Sequence, residues 1–155
     1  YLTADGALDR SRMRELVFAD AQAKKSLEGL LHPMIRAEVA LQMAAAGDAA
    51  AKGATAPYIV LVVPLLIETG AYRNLARRVL VVDCDEHQQV TRVIQRSGLT
   101  AEAVRAIMAS QVSRAHRLEH ADDVVRNDGD LAALRSAVEA LHLKYLGLAR
   151  KPAGM

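Results

Sequence analysis

The stretch RRVLVVDCDEHQQVTRVIQRSG, residues 77–98, decides the fold of this chain. It contains a continuous run of apolar, β-branched residues, which is typical of a strand covered on both faces. Asp85 then stands at a helix N-cap position, and Gly98 stands where a helix would end. The stretch therefore predicts a strand over Arg77–Cys84 and a helix over Glu86–Ser97, which is a building unit of α/β proteins.

Two further segments have strand character. Tyr58–Val63 is a continuous apolar run, and residues 122–128 (DDVVRND) form a shorter one. Helical patterns alternate with these strands, which predicts a parallel sheet in an α/β fold. The helical segments are 9–19, 21–31, 33–47, 86–97, 101–111, 113–121 and 129–150, with Asp20, Thr100 and Asp130 at N-cap positions, Pro33 as a helix start and Gly47 as a helix end.

The small, polar segment 47–57 (GDAAAKGATAP) predicts a surface loop. It superficially resembles a phosphate-binding loop. It lacks the G-x-x-x-x-G-K-[ST] pattern between a strand and a helix, however, so we expect no phosphate site there.

Composition narrows the class of protein. The 155 residues are 52% hydrophobic and 25% charged, which is ordinary for a soluble domain. The single cysteine, Cys84, favours a reducing, cytoplasmic environment. The sequence contains no run of about 20 apolar residues, which a membrane-spanning helix would need. The net charge of +2 fits an anionic small ligand and is weak support for nucleic acid.

Parallel sheets bind ligands beyond the carboxyl ends of their strands. The sequence places three segments there, namely Pro64–Gly70, Asp83–Asp85 and Asn127–Asp130. The helices between the last two strands carry two arginine pairs, Arg92 with Arg96 and Arg114 with Arg117, each at a spacing that shares one helix face. Such pairs suit a nucleotide triphosphate, although they also occur on solvated helix surfaces.

The pentapeptide HRLEH, residues 116–120, matches the H-x-x-E-H pattern of inverted zinc proteases. Two histidines four residues apart on a helix can bind Zn²⁺, with Glu119 as a base. No third ligand is marked and the surrounding helix is polar and basic. A charged surface helix is therefore the favoured interpretation.

Taken together, the motifs resemble those of the bacterial dephospho-coenzyme A kinase family, in order from about Ala4 to Leu148. The matching motifs are LHPMIR (Leu31–Arg36), VVPLLIE (Val62–Glu68), RVLVVDC (Arg78–Cys84), RVIQRSGLT (Arg92–Thr100), SQVSRAHRLEHADDVVRNDGDLAAL (Ser110–Leu134) and LHLKYL (Leu141–Leu146). The resemblance implies a P-loop kinase of the nucleoside-monophosphate-kinase type, with helical acceptor-binding and lid insertions. It also implies ATP-dependent phosphorylation of the ribose 3′-hydroxyl of dephospho-CoA, with ATP and Mg²⁺ as cofactors.

The resemblance further implies a division into segments. Residues 1–56 would form the helical acceptor-binding region, and residues 57–100 the core strands and helix. Residues 101–121 would form the lid, and residues 122–155 the last core strand and the C-terminal helix.

Site residues follow by matching positions. Arg114 and Arg117 of the lid would bring positive charge to the phosphates of ATP. The other residues expected to bind ATP are Arg92, Arg96, Asn127 and Gly129, and those expected to bind the acceptor are His32, Pro64, Leu65, Leu66 and Glu68. Pro64 would end its strand, since it has no N–H, and Glu68 would accept a hydrogen bond near the reacting groups.

The family pattern starts earlier than this chain, with a strand, a P-loop and an aspartate-alanine-aspartate segment. These parts have no counterpart here, so we expect the chain to be part of a longer protein. We also expect that these 155 residues by themselves would not fold stably and would have no kinase activity. Two alternatives remain: a related P-loop kinase for another acceptor, and a non-catalytic module that binds a nucleotide or a partner.

Overall fold

The computed structural model describes residues 1–51 and 56–150. The chain divides into two compact units, of which the first spans Tyr1–Ile59 and the second begins at Val60. The first unit opens with an antiparallel bridge between Leu2 and Leu8. Its helices are α1 (Arg10–Ala19) and α2 (Ala21–Ala51).

Aspartate caps start both helices of the first unit. Asp9 accepts hydrogen bonds from the backbone N–H groups of Ser11 and Arg12. Asp20 does the same for the first turn of α2, with 2.7 Å between its Oδ1 and the backbone N of Gln22. Each carboxylate satisfies N–H groups that have no partner within their helix. The N-cap predicted at Asp20 is confirmed.

The predicted helix boundaries around Pro33 and Gly47 are wrong. Pro33 lies inside α2, and the helix continues through Gly47 to Ala51. Strong helix formers (Leu, Met, Glu and Ala) flank Pro33, and alanines flank Gly47, which favours helix enough to offset one missing hydrogen bond and one glycine. The predicted loop at 47–57 is thus helical at its start, while its residues 52–55 lie outside the described part of the chain.

The second unit alternates helices with two parallel strands in the part that the structure describes. Its helices are connected by short segments, including a single 3₁₀ turn at Arg73–Leu75. The elements are α3 (Leu66–Thr69), β1 (Leu80–Asp83), α4 (Glu86–Ser97), α5 (Ala101–Ala109), α6 (Arg114–Glu119), β2 (Asp123–Arg126) and α7 (Leu131–Arg150).

Strands β1 and β2 pair in parallel, with Leu80 opposite Asp123 and Asp83 opposite Arg126. The parallel sheet predicted from the sequence is therefore confirmed. The buried apolar side chains among the described residues include Val79 before β1, Val104 of α5 and Val125 of β2. The parallel ladder sets the carboxyl ends of the two strands side by side, with Asp83 opposite Arg126.

The strand predicted at Tyr58–Val63 is wrong, because these residues form no strand in the structure. Ile59 is 53% exposed and Val62 is 83% exposed. A β-branched sequence favours extended backbone, but a strand also needs a neighbour to satisfy its N–H and C=O groups. Within the described residues, only β1 and β2 form a parallel ladder.

No helix in the described part of the chain is both long enough and apolar enough to cross a membrane.

Candidate functional site

The site is centred on Asp83, the last residue of β1, whose side chain is only 3% exposed. Arg114 donates two hydrogen bonds to this carboxylate, from Nε to Oδ1 at 2.7 Å and from Nη2 to Oδ2 at 2.6 Å. This paired, charge-assisted geometry is among the strongest polar contacts in proteins. The Arg114 hydrogen bonds lower the pKa of Asp83, and the same contact raises the pKa of Arg114.

Local capping explains why Arg114 reaches the strand end. The Ser113 side chain caps α6 by accepting a hydrogen bond from the backbone N–H of His116, at 3.1 Å. Arg114 is therefore the first residue of the helix. The Ser113 cap fixes where α6 begins and so where Arg114 lies, whereas the sheet fixes where its partner Asp83 lies.

A second arginine approaches the same carboxylate. Arg126, the last residue of β2, places Nη1 at 3.6 Å from Oδ2 of Asp83. Its Nε also donates to Oδ2 of Asp128, at 2.9 Å. The parallel register puts Arg126 directly opposite Asp83. Two guanidinium groups consequently meet at the carboxyl edge of the sheet.

Helix α4 holds the loop that follows β2. Arg92 donates from Nη1 to the backbone oxygen of Asn127, at 2.7 Å. Gln88, one turn earlier on α4, donates from Nε2 to the backbone oxygen of Asp128, at 3.0 Å. The N–H of Asn127 in turn donates to the backbone oxygen of Asp83, at 2.7 Å. The loop backbone is therefore fixed from both sides.

An ion pair joins α3 to α6. Glu68 lies 3.8 Å from Nη1 of Arg117, and both side chains are largely buried, at 16% and 24% exposed. The same Nη1 donates to the backbone oxygen of Val112, at 2.7 Å. The carboxylate that follows Pro64 thus contacts the helix that carries Arg114.

The structure brings several predicted residues together, in three separate contacts. Arg114 meets Asp83, Arg92 meets Asn127, and Arg117 meets Glu68. Of the other candidates, Arg96 lies in the last turn of α4, Gly129 lies in the loop before α7, Pro64 and Leu65 form the turn before α3, Leu66 opens α3, and His32 lies within α2 of the first unit.

Sequence reasoning missed two residues at the centre of the site. The sequence indicates a ligand-facing strand end at Asp83 without a specific role for it, and it indicates Arg126 only as part of the last strand and the turn that follows. Their position at the carboxyl ends of two parallel strands could have identified them, since such ends lie at the same ligand-facing edge of the sheet. Their contact depends on strand register, which the sequence does not state.

A second buried carboxylate, Asp123, lies at the opposite end of β2 and holds the fold together. Its partners are Arg78 (Nε at 2.7 Å), Lys144 and the hydroxyl of Tyr145 (3.0 Å). Their hydrogen bonds, that of Arg78 foremost, lower the pKa of Asp123 to about 2. This cluster ties α7 to the sheet and lies away from the ligand-facing edge.

The comparison with family models finds the dephospho-CoA kinase family over residues 1–133. A dephospho-CoA kinase of Nitrosospira multiformis is 51% identical over 150 residues, covering 97% of this chain and 71% of that protein. One from Methylococcus capsulatus is 52% identical over 149 residues, covering 96% of this chain and 70% of that protein. The chain belongs to the dephospho-CoA kinase family.

Solved structures agree with this assignment. A dephospho-CoA kinase from Campylobacter jejuni matches with a TM-score of 0.63 and 31% identity, covering 95% of this chain and 70% of that one. A Thermus thermophilus protein matches with a TM-score of 0.70 and 29% identity, over 92% of this chain and 70% of that one. The family resemblance and the kinase fold class predicted from the sequence are both confirmed.

Proposed function

We propose that the protein transfers a phosphoryl group from ATP to the ribose 3′-hydroxyl of dephospho-CoA, the final step of coenzyme A synthesis. Family membership is the observation that carries this proposal. The arginines at the carboxyl edge of the sheet support it, because phosphoryl transfer depends mainly on positioning and on stabilising phosphate charge.

Arg114 is proposed as the principal phosphate-binding arginine of the lid. A guanidinium has five N–H donors, and Asp83 accepts from two of them. The three donors that Asp83 does not use can bind phosphate oxygens without breaking the ion pair. Asp83 is thus proposed to hold the flat face of Arg114 in a fixed orientation before ATP binds.

Arg92 and Asn127 are proposed to form the adenine side of the ATP site, with Arg96 and Gly129 beside them. Arg92 donates to the backbone oxygen of Asn127 and so fixes the shape of the loop. Its remaining N–H groups are proposed to bind ATP. At Gly129, an added Cβ would lie 3.4 Å from Cβ of Ala133, so the loop backbone packs close to α7 here. Both observations support a loop of fixed shape.

Glu68 and Arg117 are proposed to couple acceptor binding to the lid. Their ion pair joins the segment that follows Pro64 to α6. Leu65 is 40% exposed and can contact the acceptor, with Leu66 supporting it. For His32, which lies on α2 of the first unit, acceptor binding stays a prediction from the family resemblance.

ATP fits the arginines described above, whereas the described side chains do not build a Mg²⁺ site. Mg²⁺ prefers oxygen ligands in octahedral geometry. Asp83 is already paired with Arg114 and Arg126. Among the described residues, three possible metal ligands converge on α6. They are two imidazoles and one carboxylate, which do not suit Mg²⁺. Mg²⁺ is therefore proposed to arrive with the phosphates of ATP.

The activity is tested with the full-length protein, ATP and dephospho-CoA, by following coenzyme A formation. Nucleoside monophosphates serve as competing acceptors. We expect coenzyme A to form and the monophosphates to be poor acceptors. Phosphorylation of a monophosphate instead would favour the related-kinase alternative, and nucleotide binding without transfer would favour the non-catalytic module.

The role of Arg114 is tested by Arg114→Lys, which keeps the charge and loses the paired geometry. We expect kcat to fall by about tenfold or more, since lysine does not reproduce a bidentate contact. Arg105→Lys, on the neighbouring helix α5, is the matched control and should leave kcat unchanged. Equal kcat values for the wild type and Arg114→Lys would contradict the assignment.

A further inference from the structure

Three potential metal ligands converge on α6. His116, Glu119 and His120 share one helix face, because they are three and four residues apart. One ligand atom from each residue lies within 4.8 Å of the other two, and the two imidazole rings are 4.2 Å apart between centroids. All three side chains are exposed, so small rotations can bring them to coordination distance without disturbing a packed core.

The orientation of His120 favours metal binding. Its Nδ1 lies 2.9 Å from the backbone oxygen of His116. A carbonyl oxygen only accepts hydrogen bonds, so Nδ1 of His120 must carry the proton. In the neutral ring, the lone pair then lies on Nε2. A backbone carbonyl that fixes the tautomer in this way is the usual outer partner of a metal-binding histidine.

We propose that α6 carries a surface site for a divalent transition-metal ion of the Zn²⁺ class, ligated by His116, Glu119 and His120. Two imidazoles and a carboxylate suit Zn²⁺, Co²⁺ or Cu²⁺ and do not suit Mg²⁺ or Ca²⁺. Water would complete the coordination. Glu119 acts here as a ligand, which distinguishes the site from a zinc peptidase, where that residue would be the base.

The site has a physical consequence for the helix that holds it. The three ligands span the last turn of α6 and its C-cap, so one ion would cross-link that turn. An ion that binds only the folded helix stabilises it by mass action. Arg114 and Arg117 lie on the same helix, so the ion would also restrict the element that carries them. The site does not depend on the proposed kinase reaction.

The test uses tag-free, full-length protein that has been treated with a chelator and titrated with Zn²⁺ in a calorimeter. Co²⁺ absorption in the visible range reports the coordination directly. We expect one ion per chain. His116→Ala and His120→Ala should each weaken binding by about tenfold or more. Glu119→Gln should weaken it too, because the amide loses the ligand charge.

His87→Ala is the matched control, since His87 is an exposed histidine on a different helix, α4. It should bind Zn²⁺ as the wild type does. Circular dichroism confirms that each variant is folded. The proposal fails if Zn²⁺ does not bind, if the doubly substituted protein His116→Ala/His120→Ala binds it unchanged, or if His87→Ala weakens binding as much as His116→Ala does. Kinase activity measured without added Zn²⁺ separates these outcomes from failure of the proposed reaction.

Discussion

A single buried carboxylate organises the ligand-facing edge of the sheet. Asp83 accepts both hydrogen bonds of the Arg114 fork and lies 3.6 Å from Arg126. Burying a carboxylate is costly unless it is paired and hydrogen-bonded. Here the pairing also aims a guanidinium at the place where phosphates are proposed to bind. The stability of the strand end and the orientation of Arg114 therefore depend on the same contact.

Asp83→Asn should separate charge from shape at this position. The amide keeps the size of the side chain, but only its one oxygen can accept a hydrogen bond from Arg114, and its NH₂ group faces a guanidinium. We expect the free energy of unfolding to fall by about 1–3 kcal/mol and kcat to fall more than KM for ATP rises. Urea unfolding and steady-state kinetics provide the two measurements.

Asp85→Asn is the matched control, because asparagine caps helices as well as aspartate does. It should leave stability and kcat nearly unchanged. A loss of kcat that is equal in the two variants would show that the effect is one of general charge and not of the contact with Arg114.

Glu68→Gln tests the ion pair between α3 and α6. Both side chains are largely buried, but the contact is long at 3.8 Å and Arg117 keeps its hydrogen bond to Val112, so its loss should cost about 1 kcal/mol of stability. If the pair couples the acceptor to the lid, KM for dephospho-CoA should rise severalfold. Glu139→Gln on α7 serves as an exposed control. Unchanged turnover and acceptor affinity would return Glu68 to a purely structural role.

At the level of the element, local signals predicted the second unit well. Asp85, Thr100 and Asp130 cap their helices as expected, and Gly98 ends α4 in a left-handed conformation. Each of these features is decided by residues within one turn of the chain. Strand β2 was also predicted, since Val124 and Val125 lie between polar residues.

Features that depend on distant residues were predicted less well. Pro33 was expected to start a helix, but α2 continues through it, since good helix formers such as Leu31 and Met34 surround it. Tyr58–Val63 has strand composition, yet whether it forms a strand depends on a partner that its own sequence does not specify. The contact between Asp83 and Arg114 joins residues 31 positions apart and depends on the sheet. The sequence therefore identified the site residues one by one, but it did not predict which of them contact each other.

Gly98 gives a direct test of the capping argument. Its φ is +67°, where alanine is strained, and an added Cβ would meet no atom within 4 Å. Gly98→Ala should therefore lower stability by about 1–2 kcal/mol through backbone conformation alone. Thermal and urea unfolding of the purified protein measure this change.

Gly147→Ala makes the same chemical change inside α7, where an added Cβ also meets open space. Here alanine should stabilise the helix by up to about 1 kcal/mol. The two substitutions are thus expected to have opposite signs. The same sign for both would show that something other than backbone conformation dominates at one of the two glycines.

At the scale of the second unit, buried aspartates hold both ends of the sheet. Asp83 lies at the carboxyl end of β1, and Asp123 begins β2. Each accepts hydrogen bonds from an arginine distant in sequence. Asp123 also accepts from Lys144 and Tyr145, which attach α7. The two carboxylates must be ionised to make these contacts, so the stability of the unit is linked to pH.

Lowering the pH should therefore reduce the stability of the protein, and protonation of Asp123 should account for part of the loss. Its pKa is about 2 in the folded state, against an ordinary value of 3.8. Because the folded pKa is the lower of the two, the contribution is complete above about pH 5 and is lost as the pH falls toward about 2. The shift corresponds to about 2 kcal/mol at neutral pH, since one pKa unit is worth about 1.4 kcal/mol.

Asp123→Asn should remove this dependence. We expect the variant to be about 2 kcal/mol less stable than the wild type at neutral pH and nearly as stable near pH 2. The acid limb should become shallower without disappearing, because the pKa of Asp83 is lowered as well. Urea unfolding at several pH values between about 2 and 7 measures the difference. A difference that stays constant across this range would mean that Asp123 stabilises the fold by packing and neutral hydrogen bonds, and not by its charge.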